Sequence, residues 1–186
     1  MRARSREFGA KVSASDNYHG SGFSGVDSKL RFTLPVDLRR RVKAGSADQN
    51  LLFINMTPDL PCLTGFGEDH VAEMRAEIEA EVTAARALGQ SIDRHRRARD
   101  MAAGIARITF DDGGRFSIPE EIAEMMGIDD CLFFVGAFWT FEIWSPQRFL
   151  ESDHGSEFER MRCRKALAEW QANPKNPRLG KAGGAA

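Results

Sequence analysis

The chain has 186 residues, 42% of them hydrophobic and 28% charged, and its 26 basic and 27 acidic side chains leave a formal net charge of -1. That is an ordinary composition for a globular protein able to bury a core, and no apolar run approaches the roughly 20 residues of a membrane helix, so no membrane partner is expected. Three widely spaced cysteines, Cys62, Cys131 and Cys163, support neither a disulfide framework nor a zinc site and fit a reducing cytoplasm.

Residues 1–17 are polar, basic and aperiodic. With no apolar segment behind Met1-Arg2-Ala3-Arg4-Ser5-Arg6, they are expected as a flexible arm rather than a secretory signal. A first unit over 21–68 then reads strand, turn, strand, helix, strand, strand. Phe23 to Val26 and Arg31 to Leu34 flank a turn at Asp27 to Leu30. Pro35 holds Leu34 extended and supplies a first helical position; Leu38 and Val42 form the helix's apolar edge and Gly45 its terminator. Leu51 to Met56 and Cys62 to Phe66 read as partner strands around a turn at Pro58-Asp59-Leu60-Pro61.

A helical hairpin is predicted over 69–104. Val71, Met74, Ile78, Val82 and Leu88 recur at helical spacing, Gly89 follows, and a basic second helix covers Arg94 to Met101. A second unit over 105–148 repeats the first. Asp27, Arg31, Phe32 and Pro35 return 84 residues later as Asp111, Arg115, Phe116 and Pro119. Ile122 and Met126 line the following helix, Gly127 ends it, and Cys131 to Ala137 with Thr140 to Trp144 form an aromatic-rich hairpin. Leu52-Phe53 matches Leu132-Phe133 at an offset of 80, so the first unit carries extra residues in the loop 45–50. Residues 149–171 are expected as a C-terminal helix, bearing Phe158, Met161, Leu167 and Trp170, and 172–186 as a disordered tail. The fold class is α+β.

The repeated Asp-x-x-x-Arg turn is the main candidate site. Asp27 and Asp111 can accept backbone N–H bonds and stiffen the turn, which Gly114 helps to shape in the second copy. The arginine four residues on has two options. It can fold back on the carboxylate as a plain ion pair, or project its planar donors toward phosphate or a guanine edge. From Lys29 to Lys43 six bases face one acid, Asp37; from Asp111 to Asp130 seven acids face one base, Arg115. The first copy is therefore the expected polyanion contact, through Lys29, Arg31, Arg39 and Arg40, with Arg115 the one contribution of the second. No nearby acid is expected to neutralise the run Arg39-Arg40-Arg41. Asp111-Asp112-Gly113-Gly114 reads as a turn rather than a metal site, and the four histidines are scattered. No nucleophile elbow or phosphate loop is present, so no enzymatic activity, cofactor, metal or small-molecule substrate is expected.

These residues resemble the bacterial MraZ family, whose members contain two domains of the SpoVT-AbrB type. The resemblance runs from about Tyr18 to Leu150. It rests on Tyr18-His19-Gly20, the Asp27–Pro35 element, Leu60-Pro61-Cys62-Leu63, the Asp111–Pro119 element, and Phe134-Val135-Gly136-Ala137-Phe138 followed by Phe141-Glu142-Ile143-Trp144. It implies two tandem swapped-hairpin β-barrel halves linked by the helical hairpin. It also implies a DNA-contacting turn at Lys29 and Arg31, with its second copy at Asp111 and Arg115. The further implications are a homo-oligomeric ring in the cytoplasm, associated with the nucleoid, and binding to short direct repeats in double-stranded promoter DNA of the division and cell-wall gene cluster, often as a repressor. Leu30 departs from the family pattern, which has Gly there as Gly114 still is in the second copy; a leucine is strained if that position takes a positive φ. The alternative is an oligomeric interaction scaffold whose acidic second half binds a protein, with DNA binding lost through Leu30.

Overall fold

The computed structural model describes residues 17–57 and 59–173; Pro58 of the expected turn, the arm before Asn17 and the tail from residue 174 lie outside them. The first unit comprises β1 (Ser21–Gly25), β2 (Phe32–Thr33), α1 (Val36–Gly45), β3 (Leu51–Met56) and β4 (Leu63–Phe66). The connector is α2 (Glu68–Ala87) and α3 (Arg94–Ala102). The second unit repeats the order as β5 (Ala106–Thr109), β6 (Arg115–Phe116), α4 (Glu120–Met126), β7 (Cys131–Ala137) and β8 (Thr140–Trp144), and α5 (Pro146–Glu151) and α6 (Glu157–Gln171) close the described chain.

Local details correct three expectations. Pro35 and Pro119 sit one place before their helices, as N-caps with extended ψ of 142° and 139°, rather than in the first turn. Gly45 is the last residue of α1, and the chain reverses through Ala47 and Asp48, both left-handed. The C-terminal segment is two helices. Pro146 starts α5 at a position where no N–H is needed, and a reciprocal Ser156–Glu159 capping box starts α6 afresh. On α6 it is Cys163 that is buried, whereas Phe158 and Met161 are exposed.

The two units do not form separate sheets. One six-stranded sheet runs β1-β7-β8-β4-β3-β5, all neighbours antiparallel, and β2 pairs with β6 in a small second sheet. The register obeys a pseudo-twofold. Ser24 faces Leu132 as its counterpart Ile108 faces Leu52, and Gly25 faces Cys131 as Thr109 faces Leu51. The axis passes through the equivalent pair Phe32 and Phe116, which face each other, and through Thr64 opposite Glu142. Each unit thus supplies strands that complete the other, so neither could bury its apolar strand faces alone.

Leu34, Leu38, Val42, Leu52, Ile54, Leu63, Leu132, Phe134, Phe141 and Ile143 fill the principal core with Phe32 and Phe116. A second cluster, with Phe133, Trp144, Phe149 and Cys163, seals α5 and α6 onto β7 and β8. Tyr18 anchors the start of the described chain. Its hydroxyl accepts from the Gly67 N–H at 2.9 Å under the Arg41 guanidinium, and burial pushes its phenol up to about 12.

Candidate nucleic-acid interface

Both Asp-x-x-x-Arg segments are three-residue hairpin turns closed in the same way. Asp27 N–H donates to the Arg31 carbonyl at 2.9 Å and Leu30 N–H to the Asp27 carbonyl at 3.0 Å; the counterparts from Asp111 and Gly114 measure 3.0 and 2.7 Å. The residue before the arginine is left-handed in each, Leu30 at φ 58° and Gly114 at φ 82°. This is the residue after a tight turn that lets the strands re-pair around a bulge. The aspartates staple the turns from inside. Asp27 Oδ1 accepts from the N–H groups of Lys29 and Arg31 at 2.8 and 3.0 Å, and Asp111 Oδ1 from that of Arg115 at 2.9 Å.

The arginines fold back on these carboxylates. Arg31 Nε and Nη2 donate to Asp27 Oδ2 at 3.0 and 2.7 Å, and Arg115 Nε donates to Asp111 Oδ2 at 2.7 Å. The ion-pair option is therefore realised in both copies. It is not the whole of the geometry, because Arg31 Nη1 also reaches across the pseudo-axis to Asp111 Oδ2 at 3.4 Å. Of the five guanidinium hydrogens of Arg31, three are directed at carboxylates, leaving one on each terminal nitrogen. A guanidinium fixed from behind with its end edge open suits a bidentate acceptor. Arg115 is held by one side-chain bond and is more open, its side chain 48% exposed against 27% for Arg31. The Arg31 side chain and the N–H bonds hold the Asp27 carboxyl down at about 2. Asp111 is also lowered, chiefly by the Arg115 N–H, and Arg31 is raised by Asp27.

The basic run on α1 is not the unneutralised patch expected. Arg41 pairs with Asp69 at 2.6 Å, Arg40 pairs with Asp37 at 3.3 Å on the surface, and Arg39 donates to the Asp112 carbonyl at 3.3 Å. The two acids come from the α2 N-terminus and from α1's own first turn, whereas the partner of Arg39 is a main-chain carbonyl of the second hairpin turn. Asp112 also accepts from Asn50 Nδ2 at 3.0 Å, so it ties α1 and the loop before β3 to the second turn. The role of Asp112 and the sharing of Asp111 carry no sequence signal beyond the repeat itself.

Among the curated proteins, a transcriptional regulator MraZ from Caulobacter vibrioides is 29% identical over 161 residues, covering 87% of this chain and 94% of the relative. One of the same name from Phenylobacterium zucineum is 28% identical over 158 residues, covering 85% and 91%, and one from Rickettsia canadensis 28% over 131 residues, covering 68% and 79%. No protein-family model matches the chain. The duplicated turns and the relatives agree over most of the length. The chain is similar to the MraZ transcriptional regulators over most of its length.

The two turns differ at the left-handed position and at the residue before it. A Cβ placed on Gly114 would stand 2.8 Å from Arg39 Cδ and Nη1 and 3.3 Å from the Leu34 carbonyl, so the second turn has no room for a side chain there. Leu30, its counterpart, is left-handed and its side chain is 70% exposed. A left-handed non-glycine residue costs of order 1–3 kcal/mol, and here little packing offsets it. The register position of Arg39 in the second unit is Ala123, too small to cover the first turn as Arg39 covers the second. Lys29 is exposed beside Leu30, where the second turn has Gly113. Among the described residues no cluster of His, Cys, Asp and Glu gathers to hold a metal ion, and no helix is long and apolar enough to cross a membrane.

Proposed function

We propose that this protein is a DNA-binding transcriptional regulator, not an enzyme. It acts in the cytoplasm on the nucleoid as a homo-oligomeric ring, and it represses the division and cell-wall gene cluster by engaging short direct repeats in the promoter. The observation that carries this reading is the β2–β6 pairing, which sets two equivalent Asp–Arg turns side by side about the pseudo-axis. Lys29 and the open edge of the clamped Arg31 form the main contact; Arg115 is an auxiliary one. Arg39 and Arg40 flank them, Arg39 mostly as a strut under the second turn. The MraZ relatives, named as transcriptional regulators, support the same reading.

A single face of this size binds weakly. Several such faces on one assembly can engage spaced repeats, and linkage of that kind raises avidity by roughly 10²–10⁴. Two measurements test the proposal. A gel shift with the gene's own upstream region, titrated with salt, is expected to show affinity falling steeply, because each phosphate neutralised adds about 0.9 to the logarithmic slope. Light scattering is expected to give a multiple of the 20.7 kDa chain. Salt-independent binding would overturn the DNA reading, and a stable monomer at micromolar concentration would overturn the multivalent mechanism.

A further inference from the structure

We infer that Leu30 is a base-reading side chain, whose isobutyl group meets the 5-methyl group of a thymine in the major groove beside the guanidinium of Arg31. The inference rests on the DNA-binding reading above and adds to it a residue that sets sequence preference.

Packing within the fold gives little reason for a leucine here. The residue is left-handed at φ 58° and largely exposed, at the tip of a turn that glycine would form without strain. The second turn shows what the same backbone looks like when nothing is asked of that position: Gly114 is buried beneath Arg39 and the Leu34 carbonyl. The first turn differs on both counts, because a side chain is present and the residue at the register position of the covering arginine is Ala123. Strain retained where packing does not require it points to a contact made outside the fold.

Its neighbours indicate what that contact is. Lys29 lies exposed on one side, and Arg31, clamped by Asp27 and Asp111, lies on the other with a hydrogen free on each terminal nitrogen. An apolar group between a point charge and a fixed guanidinium matches the major-groove surface of DNA. There phosphate attracts the lysine, guanine O6 and N7 accept from arginine, and the thymine methyl is the one apolar feature on a base edge. A buried protein partner would have to desolvate both flanking charges.

The experiment selects duplexes with the wild-type chain from a randomised library and remakes them with uracil for thymine, which removes only the methyl. Wild type is expected to lose roughly fourfold in affinity per contacted thymine, the value of one buried methyl. Leu30→Gly is expected to bind the two duplexes alike. So is Leu30→Asn, whose short polar side chain tolerates the left-handed region. Leu30→Gly should melt at or above the wild-type temperature because strain is relieved; a clearly lower melting temperature would give Leu30 a structural role and overturn the inference. Equal sensitivity to uracil in wild type and Leu30→Gly, or indifference in wild type, would overturn it too. Indifference with steep salt dependence intact leaves the turns as DNA contacts, whereas no salt-dependent binding to any duplex removes both readings.

Discussion

At the first turn Lys29 and Leu30 carry side chains into solvent; at the second the same places are Gly113 and Gly114, and Arg39 lies across the backbone. The main-chain hydrogen bonds of the two turns agree within 0.3 Å. What both copies keep is what the backbone requires: an aspartate to accept N–H groups, an arginine to brace it, a phenylalanine on the pseudo-axis. What differs is what could meet a partner. Duplication here preserved a rigid support and left the tips free to specialise. The arginines show the same division, since Arg31 is braced by carboxylates from both units and Arg115 by one. Bracing lowers the entropy lost when a side chain binds, which is why the proposed function assigns the main contact to Arg31, the less exposed arginine.

The largest effect is expected from Arg31→Ala, which should abolish specific DNA binding with folding and assembly intact. One base-reading arginine contributes roughly 1–3 kcal/mol per site, and the loss multiplies across a multivalent assembly. Arg115→Ala should cost much less, because Glu120, Glu121 and Glu124 follow its turn. Equal losses in a quantitative gel shift would erase the distinction between the turns. Copying the first tip onto the second comes next: Gly114→Leu should lower stability by about 1–3 kcal/mol in denaturant melts, since Arg39 and the Leu34 carbonyl occupy the space and φ is 82°. An unchanged melt would show that Arg39 moves aside freely.

Lys29→Ala is expected to weaken binding to all sequences alike and to flatten the salt slope by about one unit per turn engaged; a change in sequence preference would instead make Lys29 a base contact. The smallest effect concerns acid. The Asp27 carboxyl is held down at about 2 against an ordinary 3.8. A lowered folded-state value means that its pairing with Arg31 stabilises fully above pH 4 and is lost as pH falls toward 2. Melting temperature against pH should therefore fall less steeply across that window in Asp27→Asn than in wild type. Identical profiles would mean that the clamp does not act on stability.

Much of the architecture could be read in advance. The order of elements in both units and the helical hairpin follow from apolar periodicity and turn residues, which are local properties. The candidate turns were legible because they are repeated. The neutralisation of Arg40 and Arg41 was only partly so. Asp37 is a neighbour on the same helix, but Asp69 lies 28 residues away and reaches Arg41 only once α2 has docked. The split between α5 and α6 was missed because 149–171 looks continuously helical until Ser156 and Glu159 are read as a reciprocal cap.

The amino-acid order alone established a duplicated α+β chain with two Asp–Arg turns, one basic and one acidic in its surroundings, and a leucine in the first where the second has glycine. These depend on residues close in sequence, where propensity and spacing act directly. Tertiary pairing decided that the units interleave in one sheet, that the turns meet at Phe32 and Phe116, and that Asp111 serves both arginines across 80 residues. It also decided that Arg39 seals Gly114, where no counterpart of that size stands in the second unit for Leu30. Such facts arise between segments far apart in the chain, where strand register and steric room, rather than local preference, select the partner.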